Sequence, residues 1–158
     1  MSVQHILAQK GRNIEAIGPD ITLAQAILHL ASKRIGALLV IDAANSILGI
    51  LSERDIIRAL VAGSHALEDH VRDHMTEFVV TCSLETSVSE IMDIMTRGRF
   101  RHVPVVSDGE VVGIVSIGDV VKLKDVRFND AEVSRLEFVS KWSIKARVEE
   151  EASRANLS

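Results

Sequence analysis

The sequence carries two copies of a Ser-x-x-Asp motif, each preceded by a glycine and two apolar residues. The copies read Gly49-Ile-Leu-Ser52-Glu-Arg-Asp55 and Gly113-Ile-Val-Ser116-Ile-Gly-Asp119, with four of seven positions identical. A serine hydroxyl and the N–H groups of a helix N-terminus can bind a phosphate, and an ionised aspartate can accept hydrogen bonds from ribose hydroxyls. The same spacing is that of a helix capping box. The motif alone therefore leaves a nucleotide site and an ordinary helix start both open.

A cluster of basic residues stands before the second copy of the motif. Arg97, Arg99, Arg101 and His102 precede the apolar run Val103–Val106. Arginine can hold a phosphate through two parallel hydrogen bonds, so the cluster favours an anion site. The alternative is a solvated basic rim without a ligand.

The elements that must position these residues also recur along the chain. Thr22 and Ser87 each begin a capping box that opens a helix-period apolar stripe. An apolar run before each helix and two after it predict strands, so the repeating unit is β-α-β-β-α. The first strands are expected at Ile14–Ile17 and Phe78–Thr81, and the second at Ala37–Ile41 and Val103–Val106, with a further helix over Asn129–Glu151.

Composition excludes several classes of protein. With 47% hydrophobic and 25% charged residues the chain is not disordered, and its few aromatic residues (3%) predict an aliphatic core. The same shortage, with a net charge of −4, argues against nucleic-acid binding. The single cysteine, Cys82, cannot form an internal disulfide. Because no secretory signal and no apolar run of ~20 residues is seen, we expect a cytoplasmic protein.

The sequence offers no convincing catalytic or metal-binding set. A hydrolase nucleophile elbow has glycine two residues before its serine, whereas Gly113 stands three before Ser116. A Walker loop and a Gly-x-Gly-x-x-Gly motif are missing. His70 and His74 come without the further ligands of a metal site. We therefore expect neither enzymatic activity nor a bound metal.

On these repeated motifs the chain resembles a tandem pair of CBS (cystathionine β-synthase) domains, and especially the small stand-alone bacterial CBS-pair proteins. The likeness covers about Val3–Lys124. It implies an α+β fold in which two β-α-β-β-α repeats pack as a pseudo-twofold module, with an added C-terminal helix. The expected divisions are 1–63 for the first repeat with its N-terminal segment, 64–125 for the second repeat with its linker, and 126–158 for the C-terminal helix and tail.

The resemblance also implies two ligand clefts between the repeats. One would use Ile114, Ser116, Gly118, Asp119, Arg101 and His102 together with Ala16, Ile17 and Gly18. The other would use Ile50, Ser52, Arg54, Asp55, Ile35, Gly36 and Ala37 together with Thr81 and Cys82. In this family the aspartate holds the ribose, the serine and basic residues the phosphate, and aliphatic side chains the adenine. Because it contains Arg101 and His102, the cleft of Asp119 is expected to bind phosphate better.

The function implied by the resemblance is non-catalytic regulation by an adenine nucleotide, as in energy sensing. The ligand would be AMP or a related compound: ADP, ATP, NAD(H) or S-adenosylmethionine. A homodimer that signals to an unidentified target protein is expected, with neither membrane nor nucleic acid as partner. An alternative is a dimerisation or docking scaffold whose clefts are vestigial, and a nucleotide-processing enzyme is the least favoured.

Overall fold

The protein is described by a computed structural model over residues 1–127 of its 158 residues, with side chains through residue 123. The predicted helix Asn129–Glu151 lies outside the described residues. The chain divides into two compact units, Met1–Ile117 and Gly118–Ser158. The mixed α+β class expected from the sequence is confirmed.

Helices and strands follow the predicted order with two differences: an additional helix precedes the first repeat, and the first strand predicted for the second repeat does not form. The helices are α1 (Val3–Lys10), α2 (Leu23–Lys33), α3 (Glu53–Val61), α4 (Val88–Gly98) and α5 (Ile117–Arg127). The strands are β1 (Ala16–Ile17), β2 (Ala37–Ile41), β3 (Ile47–Ser52), β4 (His102–Ser107) and β5 (Glu110–Ser116). Two short 3₁₀ turns, Ser64–Glu68 and Val71–Asp73, connect the repeats.

Both predicted capping boxes are formed. Thr22 Oγ1 accepts a hydrogen bond from the Gln25 amide (3.2 Å), and Gln25 Oε1 accepts one from the Thr22 amide (3.0 Å). In α4, Ser87 and Glu90 make the same reciprocal pair at 3.1 and 2.8 Å. These side chains satisfy amides that the first turn of a helix leaves without backbone partners, which fixes where each helix starts.

The strands form two small sheets. In the first, β1 runs parallel to β2 and β2 antiparallel to β3, and in the second β4 runs antiparallel to β5. The second sheet also receives Cys82, whose amide donates to the Pro104 carbonyl (3.0 Å) and whose carbonyl accepts from Val106 (2.8 Å). Cys82 thus occupies in the second sheet the place that β1 occupies in the first.

The core is aliphatic, as the composition predicted. The helical stripe Leu23, Ala26 and Leu30 packs with Leu38 and Leu51 of the first sheet in one buried cluster. Among the described residues, no aromatic side chain is buried.

The segment preceding each repeat packs on the other repeat. At the N-terminus, Val3 donates to the Thr86 carbonyl (2.8 Å), while between the repeats Val71 donates to the Ile21 carbonyl (2.9 Å). Each segment crosses a strand glycine that has no room for a side chain. A Cβ at Gly113 would lie 2.8 Å from a Leu7 methyl carbon, and one at Gly49 would lie 2.7 Å from a backbone carbonyl oxygen.

The strand predicted at Phe78–Thr81 does not form. Thr76 exchanges two backbone hydrogen bonds with Ile50 of the first sheet (2.9 and 3.0 Å), while Cys82 already pairs with the second sheet. The residues between them must pass from one sheet to the other, so they cannot follow either ladder. Three residues of this run, Phe78, Val79 and Val80, line a cavity instead.

Candidate functional site

A cavity of about 390 Å³ lies within the first compact unit and is lined by both repeats. The first repeat contributes the end of β3 and the start of α3, and the second contributes the residues that follow α4. This volume lies within the range typical of small-molecule sites. The lining residues are Gly36, Ile50, Ser52, Glu53, Arg54, Asp55, Arg58, Thr76, Phe78, Val79, Val80, Gly98, Arg99, Phe100, Arg101 and His102.

The first Ser-x-x-Asp motif forms a capping box at this cavity. Ser52 is the N-cap of α3, and its amide and hydroxyl donate to Asp55 Oδ2 at 2.9 and 3.0 Å. The Asp55 amide donates back to Ser52 Oγ at 3.4 Å. Of the two interpretations that the sequence left open for this motif, the helix capping box is therefore present in the structure. It does not exclude a ligand, because both residues also line the cavity.

Asp55 is the buried charged residue of the site, with 7% of its surface exposed. Its second carboxylate oxygen, Oδ1, accepts a hydrogen bond from Thr76 Oγ1 (3.2 Å) and lies 3.7 Å from an Arg58 guanidinium nitrogen. A carboxylate offers about four acceptor positions, so Asp55 can take a further donor from a ligand.

Basic residues of both repeats line the cavity, and one of them bridges the repeats. Arg54 of α3 donates to the backbone carbonyl of Arg99 at 3.2 Å. Arg99 ends α4 in the left-handed conformation (φ 55°) that turns the chain toward Arg101 and β4. Both of these second-repeat arginines line the cavity and are exposed. Arg97 is not part of this lining and is 3.9 Å from Asp93.

Gly36 gives the opposite repeat room to approach. A Cβ at Gly36 would lie 3.1 Å from His102 Cε1 and 3.2 Å from Nε2, so the ring occupies the space of a side chain at this position. The sequence placed Arg101 and His102 with Asp119. In the structure they line the cavity that contains Ser52 and Asp55.

Two phenylalanines line the cavity, and sequence reasoning missed both. Phe78 is 85% exposed, and Phe100 is half-buried with its ring packed over Gly98. Their position depends on how the chain passes between the sheets, which local patterns do not encode. Arg58 was missed as well, although its position one helical turn after Arg54 is a signal that the sequence contains.

The remaining predicted site residues do not line this cavity, and the cleft predicted around Ser116 and Asp119 stays a prediction. Ile35 and Ala37 flank Gly36 outside the lining; Thr81 is exposed, and Cys82 is buried, which raises the pKa of its thiol to about 11. Ala16 and Ile17 form β1, Gly18 follows it, Ile114 and Ser116 belong to β5, and Gly118 and Asp119 stand in the first turn of α5.

Within residues 1–127, no helix has the length and apolarity needed to cross a membrane. In the same part of the chain, no group of three or more His, Cys, Asp and Glu side chains is arranged to hold a metal ion.

Comparison with known proteins identifies relatives that match most of the described residues. The family model of the CBS domain matches residues 10–62 and 71–125. A 17.7 kDa protein of Acidianus ambivalens is 36% identical over 110 residues, which are 69% of this chain and 66% of that protein. The chain therefore spans just under two thirds of that relative's length.

Solved structures agree with the family match. The CBS-domain protein ATU1752 of Agrobacterium tumefaciens is 43% identical with a TM-score of 0.77, covering 78% of this chain and 92% of that one. The CBS domain pair of MJ0100, solved with 5′-methylthioadenosine and S-adenosylmethionine, is 26% identical with a TM-score of 0.69, covering 78% of this chain and 98% of that one.

Proposed function

We propose a function for this chain on the basis that it belongs to the CBS domain family. The chain is a non-catalytic regulatory protein that binds an adenine nucleotide in the cavity around Ser52 and Asp55. The observation that carries the proposal is that one cavity is lined by hydrogen-bond acceptors of one repeat and by arginines of the other. The Ser52–Asp55 pair comes from one repeat, and Arg99 and Arg101 come from the other. An aspartate can accept from ribose hydroxyls, while arginines bind phosphate, so the two sets suit two parts of one nucleotide.

Adenosine ligands are known for a related pair. MJ0100 binds two adenosine compounds through a CBS pair that superimposes on this chain with a TM-score of 0.69. A ligand that touches both repeats would stabilise the arrangement in which they are close, and a binding preference of this kind is what regulation requires.

The test is calorimetry of the full chain with AMP, ATP and NADH. We expect at least one of them to bind well below millimolar concentration. The Asp55→Ala and Asp119→Ala variants, alone and together, report on the two copies of the motif. We expect the double variant to lose binding. Unchanged binding by the double variant would refute the assignment, and no binding by the wild type would refute the function.

A second candidate is a dimerisation or docking scaffold, favoured by apolar side chains on the surface of α3. Ile57 is 64% and Val61 is 84% exposed, one helical turn apart. Pairing of this face with a second copy would bury both. Light scattering of the wild type and of Ile57→Glu tests for this homodimer. A dimer that Ile57→Glu dissociates, in a protein that no nucleotide stabilises against heat, would favour the scaffold.

A further inference from the structure

The cavity around Ser52 and Asp55 carries an excess of positive charge. Four arginines line it, at positions 54, 58, 99 and 101, against the two carboxylates of Glu53 and Asp55. The formal excess is two positive charges, His102 aside, in a chain whose net charge is −4. One arginine, Arg58, lies 3.7 Å from Asp55 and compensates that buried carboxylate. The other three face a single opposing charge, Glu53.

These arginines approach the cavity from both repeats. Arg54 and Arg58 are four residues apart on α3 and so share one face of that helix. Arg99 and Arg101 flank the turn between α4 and β4. The hydrogen bond from Arg54 to the Arg99 carbonyl shows that the two groups meet, and Arg54 has further N–H donors for a ligand.

The number of arginines and their origin in both repeats indicate how many phosphates the adenosine ligand carries. A guanidinium binds phosphate oxygens in pairs, so one or two arginines satisfy a single terminal phosphate. Arg58 is already beside Asp55, and the remaining three arginines, which come from both repeats, are more than one phosphate needs. 5′-Methylthioadenosine has no negative charge, and S-adenosylmethionine has one carboxylate against an ammonium and a sulfonium, so neither supplies the anionic charge that several arginines would bind.

We propose that the ligand of this cavity is an adenine nucleotide with at least two linked phosphates, and this inference rests on the proposed nucleotide-binding function. The phosphate chain lies between the α3 arginines and Arg99 and Arg101, so it ties the two repeats together. ADP, ATP and the dinucleotides NAD(H) belong to this class. AMP and the two ligands of MJ0100 do not.

The experiment is calorimetry of the full chain at fixed ionic strength with ADP, ATP, NADH, AMP, 5′-methylthioadenosine and S-adenosylmethionine. We expect ADP and ATP to bind at least about tenfold more tightly than AMP, since one added charge-assisted hydrogen bond suffices for that factor. Arg99→Gln should weaken ADP binding by about tenfold and AMP binding by much less. Arg101→Gln is the second variant, in case the first disturbs the turn. Arg97→Gln, on the same helix but outside the cavity, should leave every affinity unchanged.

Each outcome has one meaning. If AMP, 5′-methylthioadenosine or S-adenosylmethionine binds as tightly as ADP and ATP, or if both cavity variants bind ADP like the wild type, this inference is overturned while the proposed function stands. If none of the six compounds binds, the proposed function is overturned and this inference with it.

Discussion

Replacing Asp55 by alanine separates the structural role of this carboxylate from its proposed role in binding. Asp55 caps α3 through Ser52 and accepts a hydrogen bond from Thr76, so its loss must destabilise the fold even if no ligand ever binds. A matched control exists in the repeat. Ser87→Ala removes the N-cap of another capping box, that of α4, and Ser87 is not part of the cavity lining.

The magnitudes follow from these contacts. A lost cap costs about 1 kcal/mol, and leaving the Ser52 and Thr76 hydroxyls without their acceptor adds about 1 kcal/mol. For a chain of this size about 2 kcal/mol lowers Tm by roughly 6 °C, and the single cap lost in Ser87→Ala lowers it by roughly 3 °C. A nucleotide at about one hundred times its Kd stabilises by about 2.7 kcal/mol and raises Tm by roughly 8 °C.

The assay is thermal unfolding with and without nucleotide, in a chain that also carries Asp119→Ala so that only the first copy of the motif is read. We expect Ser87→Ala to retain the full nucleotide-induced rise in Tm and Asp55→Ala to lose it. If Asp55→Ala unfolds at a lower temperature but shows the same rise, Asp55 is a helix cap only. If both variants lose the rise, the effect reports instability and not the site.

Four further outcomes are expected. Gly49→Ala should destabilise the fold by about 1–3 kcal/mol in urea titration, because its Cβ would lie 2.7 Å from a backbone oxygen, whereas Gly113→Ala, which meets a rotatable leucine methyl, should cost less; equal losses would contradict this. Glu90 accepts hydrogen bonds from the backbone and side chain of Ser87, the N-cap of α4, and these lower the pKa of its carboxyl group below 4.5. The stability that Glu90 contributes is therefore present above pH 4.5 and is lost as the pH falls through the lowered pKa. Glu90→Gln should reduce the change of the urea unfolding midpoint with pH in this range. Burial raises the pKa of the Cys82 thiol from 9.0 to about 11, so its contribution is complete below pH 9.0 and is lost as the pH rises through about 11, and Cys82→Ala should remove this part of the alkaline destabilisation. Phe78→Ala should weaken nucleotide binding about fivefold or more in calorimetry, while Phe78→Leu should weaken it less, and no effect of either change would show that the ring does not stack on the base.

The parts of the fold that could be predicted are those with local signals. The boxes at Thr22 and Ser87 were predicted from residues three apart, and both form, because capping needs only neighbours in sequence. The strand Ala37–Ile41 has the predicted bounds for a similar reason, since a continuous apolar run between polar turns fits a buried strand.

The parts that could not be predicted depend on contacts between distant segments. An apolar run at Phe78–Thr81 satisfies the local criteria for a strand, but Thr76 and Cys82 pair with different sheets and the run must cross between them. The sequence of α1 likewise does not indicate that this helix packs on the second repeat. Which residues share the cavity follows from these crossings, and this is why Arg101 and His102 lie with Asp55 in the described site.

The low aromatic content predicted the type of core but not the residues that line the cavity. The shortage of rings predicted an aliphatic core, which the structure confirms, and an adenine held by aliphatic side chains, which stays a prediction. Burying a phenylalanine contributes about 1.5–3 kcal/mol, so a chain with four of them gains by placing them in its core. Two instead line the cavity, and Phe78 is 85% exposed there. An exposed ring in this cavity is available to stack on a nucleotide base, and the loss of affinity expected for Phe78→Ala tests that role.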